Sequence, residues 1–84
     1  MKYAINVLSE NNPQVLYRIV GIFVRRKINI EKLSVVNTKT QGISKILINI
    51  NIDETRINTI SKQIDRIIEV IKVDYKKDNT TSQK

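Results

Sequence analysis

The chain has 84 residues, 40% of them hydrophobic but only 5% aromatic, and carries a formal net charge of +7. That length suffices for one domain with an aliphatic, isoleucine- and valine-rich core; a domain so small buries only ~60% of its unfolded surface and gains from association. Cysteine and histidine are both absent, which excludes disulfides, thiolate metal sites, a cysteine nucleophile, and the commonest general base and metal ligand.

The positive charge is spread along the sequence, apart from Arg25-Arg26-Lys27 and Lys76-Lys77. A nucleic-acid site concentrates its charge on one face, so the lysines read as a solubilising surface, with no nucleic acid expected as a partner. The first ten residues, MKYAINVLSE, contain no apolar run long enough for a signal peptide or a membrane span. A cytoplasmic protein without a membrane partner is the expectation.

In chain order, residues 2–8 alternate with Tyr3, Ile5 and Val7 on one side, the pattern of a strand. Asn12 is a good helix N-cap, and Pro13 suits the first helical position because its missing N–H would be unpaired there in any case. From there Val15, Leu16, Ile19, Val20, Ile22 and Phe23 recur at helical spacing, one wide apolar stripe over about four turns. Arg25, Arg26 and Lys27 fall in the last turn, where cations complement the helix dipole.

Residues 30–38 form a second predicted strand, with Leu33 and Val35 expected inward. A turn at Thr40-Gln41-Gly42 leads into a third strand over residues 43–52, with Ile46, Ile48, Ile50 and Ile52 on one side, and the short link makes a hairpin. Asp53 is expected to cap a second helix whose buried stripe is predicted to comprise Ile57, Ile60, Ile64, Ile67 and Ile68. A last strand, residues 70–75, is expected to turn Ile71, Val73 and Tyr75 inward. The domain is placed at residues 1–76, with 77–84 as a disordered polar tail.

The order is βαββαβ. A four-stranded antiparallel sheet with both helices on one face, the ferredoxin-like α+β fold, buries every one of these stripes at once. The other sheet face is mixed, with Ala4, Leu8, Val36 and Leu47 among Asn6, Ser34, Lys45, Asn49 and Asn51.

The fold does not fix the function. An RNA-recognition motif needs aromatic platforms on its central strands, and the third strand offers isoleucine, lysine and asparagine. Gly21 and Gly42 are the only glycines, so no glycine-rich phosphate loop exists. Asp53-Glu54 reads as a helix cap, and Glu10 and Glu31 have no histidine or cysteine to work with. No catalytic and no metal-ligating residue is assigned.

A binding site is better supported. Asn11 precedes the start of the first helix, where free N–H groups attract a carboxylate, and an asparagine amide offers donor and acceptor to a zwitterion. Asn29 follows that helix. The two polar loops are expected at the same end of the sandwich, around an amino-acid-sized pocket. In a side-by-side dimer, Asn29 would complete a pocket begun by Asn11 of the other copy. Taken singly, each asparagine is better explained as a turn or capping residue.

The register Glu10, Asn11, Leu16, Arg18, Ile19, Gly21, Ile22, Phe23, Arg26, Asn29, Ile30, Glu31 and Leu33, ungapped, resembles the N-terminal ACT domain of acetolactate synthase (acetohydroxyacid synthase) small regulatory subunits, as does the later stretch from Gln63 to Val73. The resemblance spans about residues 2–75. It implies an ACT fold and a homodimer formed by ACT pairing. It implies a non-catalytic regulatory role in branched-chain amino-acid synthesis, with the large catalytic subunit as the partner activated. Thiamine diphosphate, Mg and FAD would belong to that partner, and this chain would hold no cofactor of its own. Valine is the implied feedback effector, at Asn11 and Asn29. Two positions depart from the pattern. Gln14 stands for a loop glycine that lets the backbone approach the effector, so the pocket is expected to be more crowded. Lys27 stands for the glycine that ends the first helix, a matter of helix termination worth up to ~1 kcal/mol. The chain is expected to be a short, single-domain form. A free-standing amino-acid-sensing ACT module with another target is the alternative.

Overall fold

The computed structural model describes residues 1–78. Four strands and two helices follow in the order β1 (Lys2–Glu10), α1 (Pro13–Arg25), β2 (Ile30–Asn37), β3 (Ile43–Asn51), α2 (Glu54–Asp65) and β4 (Val70–Lys77). The strands form one antiparallel sheet in the spatial order β2-β3-β1-β4. Both helices pack on one face, so the predicted ferredoxin-like βαββαβ architecture is the one observed.

The core lies between the helices and the two central strands. Tyr3, Ile5 and Val7 of β1 and Ile46, Ile48 and Ile50 of β3 meet Val15, Ile19, Ile22 and Phe23 of α1 and Ile57, Ile60 and Ile64 of α2, all buried. Strict alternation on the strands and three- and four-residue spacing on the helices bring these faces together. At one end of the core the Tyr3 and Tyr75 rings meet edge to face with centroids 6.0 Å apart, and burial, then the Glu54 carboxylate and Tyr75, push the Tyr3 hydroxyl above its ordinary value.

α1 starts as predicted. Asn12 is its N-cap, Pro13 opens it, and the Asn12 carboxamide oxygen accepts from the Gln14 N–H at 3.0 Å. Its end is less ordinary. Lys27 has φ +58, with Ile28 N–H donating to the Phe23 carbonyl at 2.9 Å and Lys27 N–H to the Val24 carbonyl at 3.1 Å. This is a Schellman termination with a lysine in the left-handed position where glycine is usual.

Five expected inward residues lie outside the core: Leu33, Val35, Ile68, Ile71 and Tyr75, the last on the edge strand β4 and 36% exposed. Leu33 and Val35 pair with Ile48 and Ile46 and so share the helix-side face, but they are 37% and 46% exposed. β2 is an edge strand and the helical stripes cover the central pair. Ile68 is 90% exposed because α2 stops at Asp65 and Ile68 lies in the turn beyond it. Ile71 is exposed because a bulge between Leu8 and Ser9 breaks the β1–β4 register there and with it the two-residue alternation. Lys77 belongs to β4, and Asp78 N–H donates to the Lys2 carbonyl at 2.8 Å. The rest of the expected polar tail, residues 79–84, lies outside the described residues.

Candidate effector site

The core faces of both central strands end in a hydroxyl. Continuing the alternation Tyr3, Ile5, Val7 leads to Ser9, and running back along Ile50, Ile48, Ile46 leads to Ser44. The two serines are cross-strand partners, and both are buried. They lie beside the loop that begins α1, where a cavity of about 110 Å³ is lined by Ser9, Asn11, Asn12, Leu16, Val35 and Ser44, among others. The Asn11 backbone N–H donates to the Gly42 carbonyl at 2.8 Å, which ties this loop to the β2–β3 turn. That turn needs its glycine, since Gly42 has φ +84.

The polar atoms of the cavity are unequally engaged. Ser9 Oγ donates to the Glu10 carbonyl at 3.1 Å, and the Asn12 side chain caps α1. Ser44 Oγ is buried without a hydrogen-bond partner among the described residues. Leaving a buried hydroxyl unpaired costs about 1–3 kcal/mol. A ligand that reaches this oxygen recovers that cost, and the hydroxyl can donate or accept. Gln14 is exposed and does not line the cavity, whereas Pro13 does.

Asn29 is elsewhere. It lines a polar cavity of about 430 Å³ with Lys27, Glu31, Asn51, Asp53 and Arg56, among others. Asn11 adjoins Gly42 at the start of β3, whereas Ile30, next to Asn29, pairs with Ile50 near its end. Seven residues of extended strand separate the two levels, on the order of 24 Å. The expectation that both loops lie at one end of the sandwich is therefore corrected, because α1 carries the chain back along the full length of the sheet. Within one copy, Asn11 and Asn29 therefore line separate cavities.

The sequence model of the AHAS small subunit-like ACT domain matches residues 5–72. The chain belongs to this family. It is 42% identical over 73 residues to a probable acetolactate synthase small subunit of Archaeoglobus fulgidus, covering 87% of this chain and 46% of that one. It is 37% identical over 82 residues to the acetolactate synthase small subunit of Mycobacterium leprae, covering 96% and 48%. The crystal structure of the acetolactate synthase small subunit from Thermotoga maritima superposes with a TM-score of 0.79 at 31% identity, over 89% of this chain and 47% of that chain. The ACT domain of a GTP pyrophosphokinase from Chlorobium tepidum, at 19% identity and a TM-score of 0.75, shares the fold. The chain spans about half the length of the curated relatives it matches. Among the described residues no cluster of acidic side chains could hold a metal ion, and no helix is long and apolar enough to cross a membrane.

Proposed function

We propose that this ACT domain regulates acetolactate synthase. It pairs with a second copy through β2, binds the thiamine-diphosphate-dependent catalytic subunit, and raises that subunit's activity without contributing a catalytic residue or a cofactor. Valine is the effector assigned to the cavity at Asn11, completed by Asn29 of the second copy. One observation carries the reading. The cavity beneath the start of α1 holds an unpartnered buried hydroxyl on Ser44 and is bordered by Val35 of the uncovered edge strand. In this reading it is half a site, which a second copy paired along β2 completes.

The ligand chemistry follows from the donors and acceptors. The Asn11 amide and the Ser44 hydroxyl suit the ammonium and carboxylate of an amino acid, and Leu16 and Val35 suit a branched aliphatic side chain. Regulation of this kind needs only a difference in effector affinity between two states of the assembly.

The test is acetolactate production by the catalytic subunit from the same source, with and without this protein, each with and without valine. Stimulation reversed by valine in the wild type, and valine sensitivity lost in Asn11→Ala and Ser44→Ala, is the expected result. Stimulation indifferent to valine would retain the subunit role and remove the effector assignment. No stimulation would transfer the reading to an amino-acid sensor with another target.

A further inference from the structure

Another cavity shares no lining residue with the effector site: an open trough of about 770 Å³ on the outer surface, between α1 from Tyr17 onward and the end of α2. Its apolar lining includes Tyr17, Val20, Val24 and Ile68. Tyr17 is 82% exposed, Val24 67% and Ile68 90%. Three arginines, Arg18, Arg25 and Arg66, also line it. The nearby carboxylate of Glu69 is already engaged, accepting from Arg18 Nη1 at 3.2 Å. Large apolar side chains displayed to solvent beside the guanidinium groups of Arg25 and Arg66 mark an interaction surface.

Gly21 adds an independent observation. It sits in the interior of α1 on the wall of the trough, where glycine costs about 1 kcal/mol relative to alanine. Its own chain does not require it. An added Cβ would meet only the flexible end of Arg25, at an ordinary 3.4 Å. The missing side chain deepens the trough instead.

We infer that this trough is the docking site for the catalytic subunit, and that it receives an amphipathic segment with an apolar face and acidic flanks. The inference rests on the regulatory-subunit reading and deepens it by naming the surface. Charge selects the occupant. A second copy docked face to face would set Arg18, Arg25 and Arg66 against the same three residues, and this chain has a net charge of +7, so like charges oppose that pairing. The trough also lies away from β2, so the proposed pair of copies would leave it open on each. A segment laid between two helices meets apolar side chains along its length and guanidinium groups at its edges. The opposite, mixed face of the sheet offers Lys45, Lys72 and Asp74 around Asn6 and Leu8, a smaller hollow of about 330 Å³ with its own acid.

The test measures binding of the purified catalytic subunit to immobilised full-length protein at low and high salt. Four variants are compared with wild type: Ile68→Glu, Arg25→Glu, Gly21→Leu, and Lys72→Glu on the opposite sheet face. The first two replace exposed side chains, and circular dichroism confirms folding of all four. The expected result is roughly tenfold or greater weakening for the three trough variants, wild-type affinity for Lys72→Glu, and weaker wild-type binding at high salt. Wild-type binding that all three trough variants retain would overturn the trough and leave the regulatory reading standing. Absence of wild-type binding would overturn both. A change in the oligomeric state of the free protein in Ile68→Glu and Arg25→Glu would reassign the trough to self-association. Loss of RNA binding in the same variants, in a protein that shifts labelled RNA, would reassign it to nucleic acid.

Discussion

Lys27→Gly should stabilise this domain. Lys27 closes α1 at φ +58, a conformation that brings an L-residue's Cβ too near the following carbonyl and costs roughly 1–2 kcal/mol. The chain tolerates this because two carbonyls at the helix end are satisfied through it, by the Ile28 and Lys27 N–H groups at 2.9 and 3.1 Å, and because Ile28 is held buried in the core. Glycine adopts the same backbone without strain but loses more freedom on folding, a penalty of about 0.5–1 kcal/mol. The difference leaves a net gain of roughly 0.5–1 kcal/mol. For a domain of 60–100 residues 1 kcal/mol shifts Tm by about 4–8 °C, so Tm should rise by roughly 2–8 °C.

The control is Lys27→Ala, which removes the same charge and long side chain but keeps the Cβ. It should gain nothing. Thermal unfolding of the three proteins followed by circular dichroism, at one fixed concentration because association raises apparent stability, decides the matter. Equal Tm values for the glycine and alanine variants would refute the reasoning, since the benefit would then have come from charge removal and not from the left-handed backbone.

Other expectations follow from the same structure. Val35→Lys puts a charge on the uncovered edge strand, a common device against edge pairing, and sedimentation should show the protein shift from dimer to monomer; a persistent dimer would place the interface elsewhere. Phe23→Ala empties a fully buried position and should cost about 3–5 kcal/mol in urea unfolding, so retention of most of the stability would contradict the packing described. The raised Tyr3 hydroxyl gives a stability that is full below pH ~10 and falls as pH rises toward the folded-state value, because the unfolded chain ionises first. Tyr3→Phe should flatten that alkaline decline relative to wild type in a pH series of unfolding curves.

The sequence made the architecture legible because each apolar stripe had an unambiguous period: Ile46 to Ile52 at two, Val15 to Phe23 at three and four. It misled where position in the sheet, and not period, governs burial. Leu33 and Val35 alternate as a buried strand would, yet only the spatial order β2-β3-β1-β4 reveals that their strand is an edge. Ile71 fails for a local reason, since a one-residue bulge has no signature in the alternation of its own strand. Ile68 fails because α2 ends three residues earlier. Asn11 and Asn29 were legible as polar loop residues, but their separation depends on α1 running the length of the sheet. Ser44 was missed although its signal was present: the isoleucine alternation of β3, extended one step back, ends on a serine that has no reason to be in a core.

The two surfaces that carry the functional argument share one helix. α1 begins at the Asn11 cavity, with Leu16 in its lining, and its later turns supply Val20, Gly21, Val24 and Arg25 to the trough. The two linings share no residue but adjoin at Leu16 and Tyr17, so the sites are joined by one rigid element of thirteen residues with its apolar face locked into the core. Under the proposed reading, any shift of α1 that improves the fit of valine at its start is felt by the catalytic subunit along its flank. Linkage makes this quantitative. If valine weakens the catalytic subunit's affinity by a given factor, the catalytic subunit must weaken valine binding by the same factor. Titrating valine into the free protein and into the complex measures one factor, and titrating the catalytic subunit with and without valine measures the other. Equal factors above one would establish coupling between these surfaces. A factor of one in both titrations would mean that the two ends of α1 act independently.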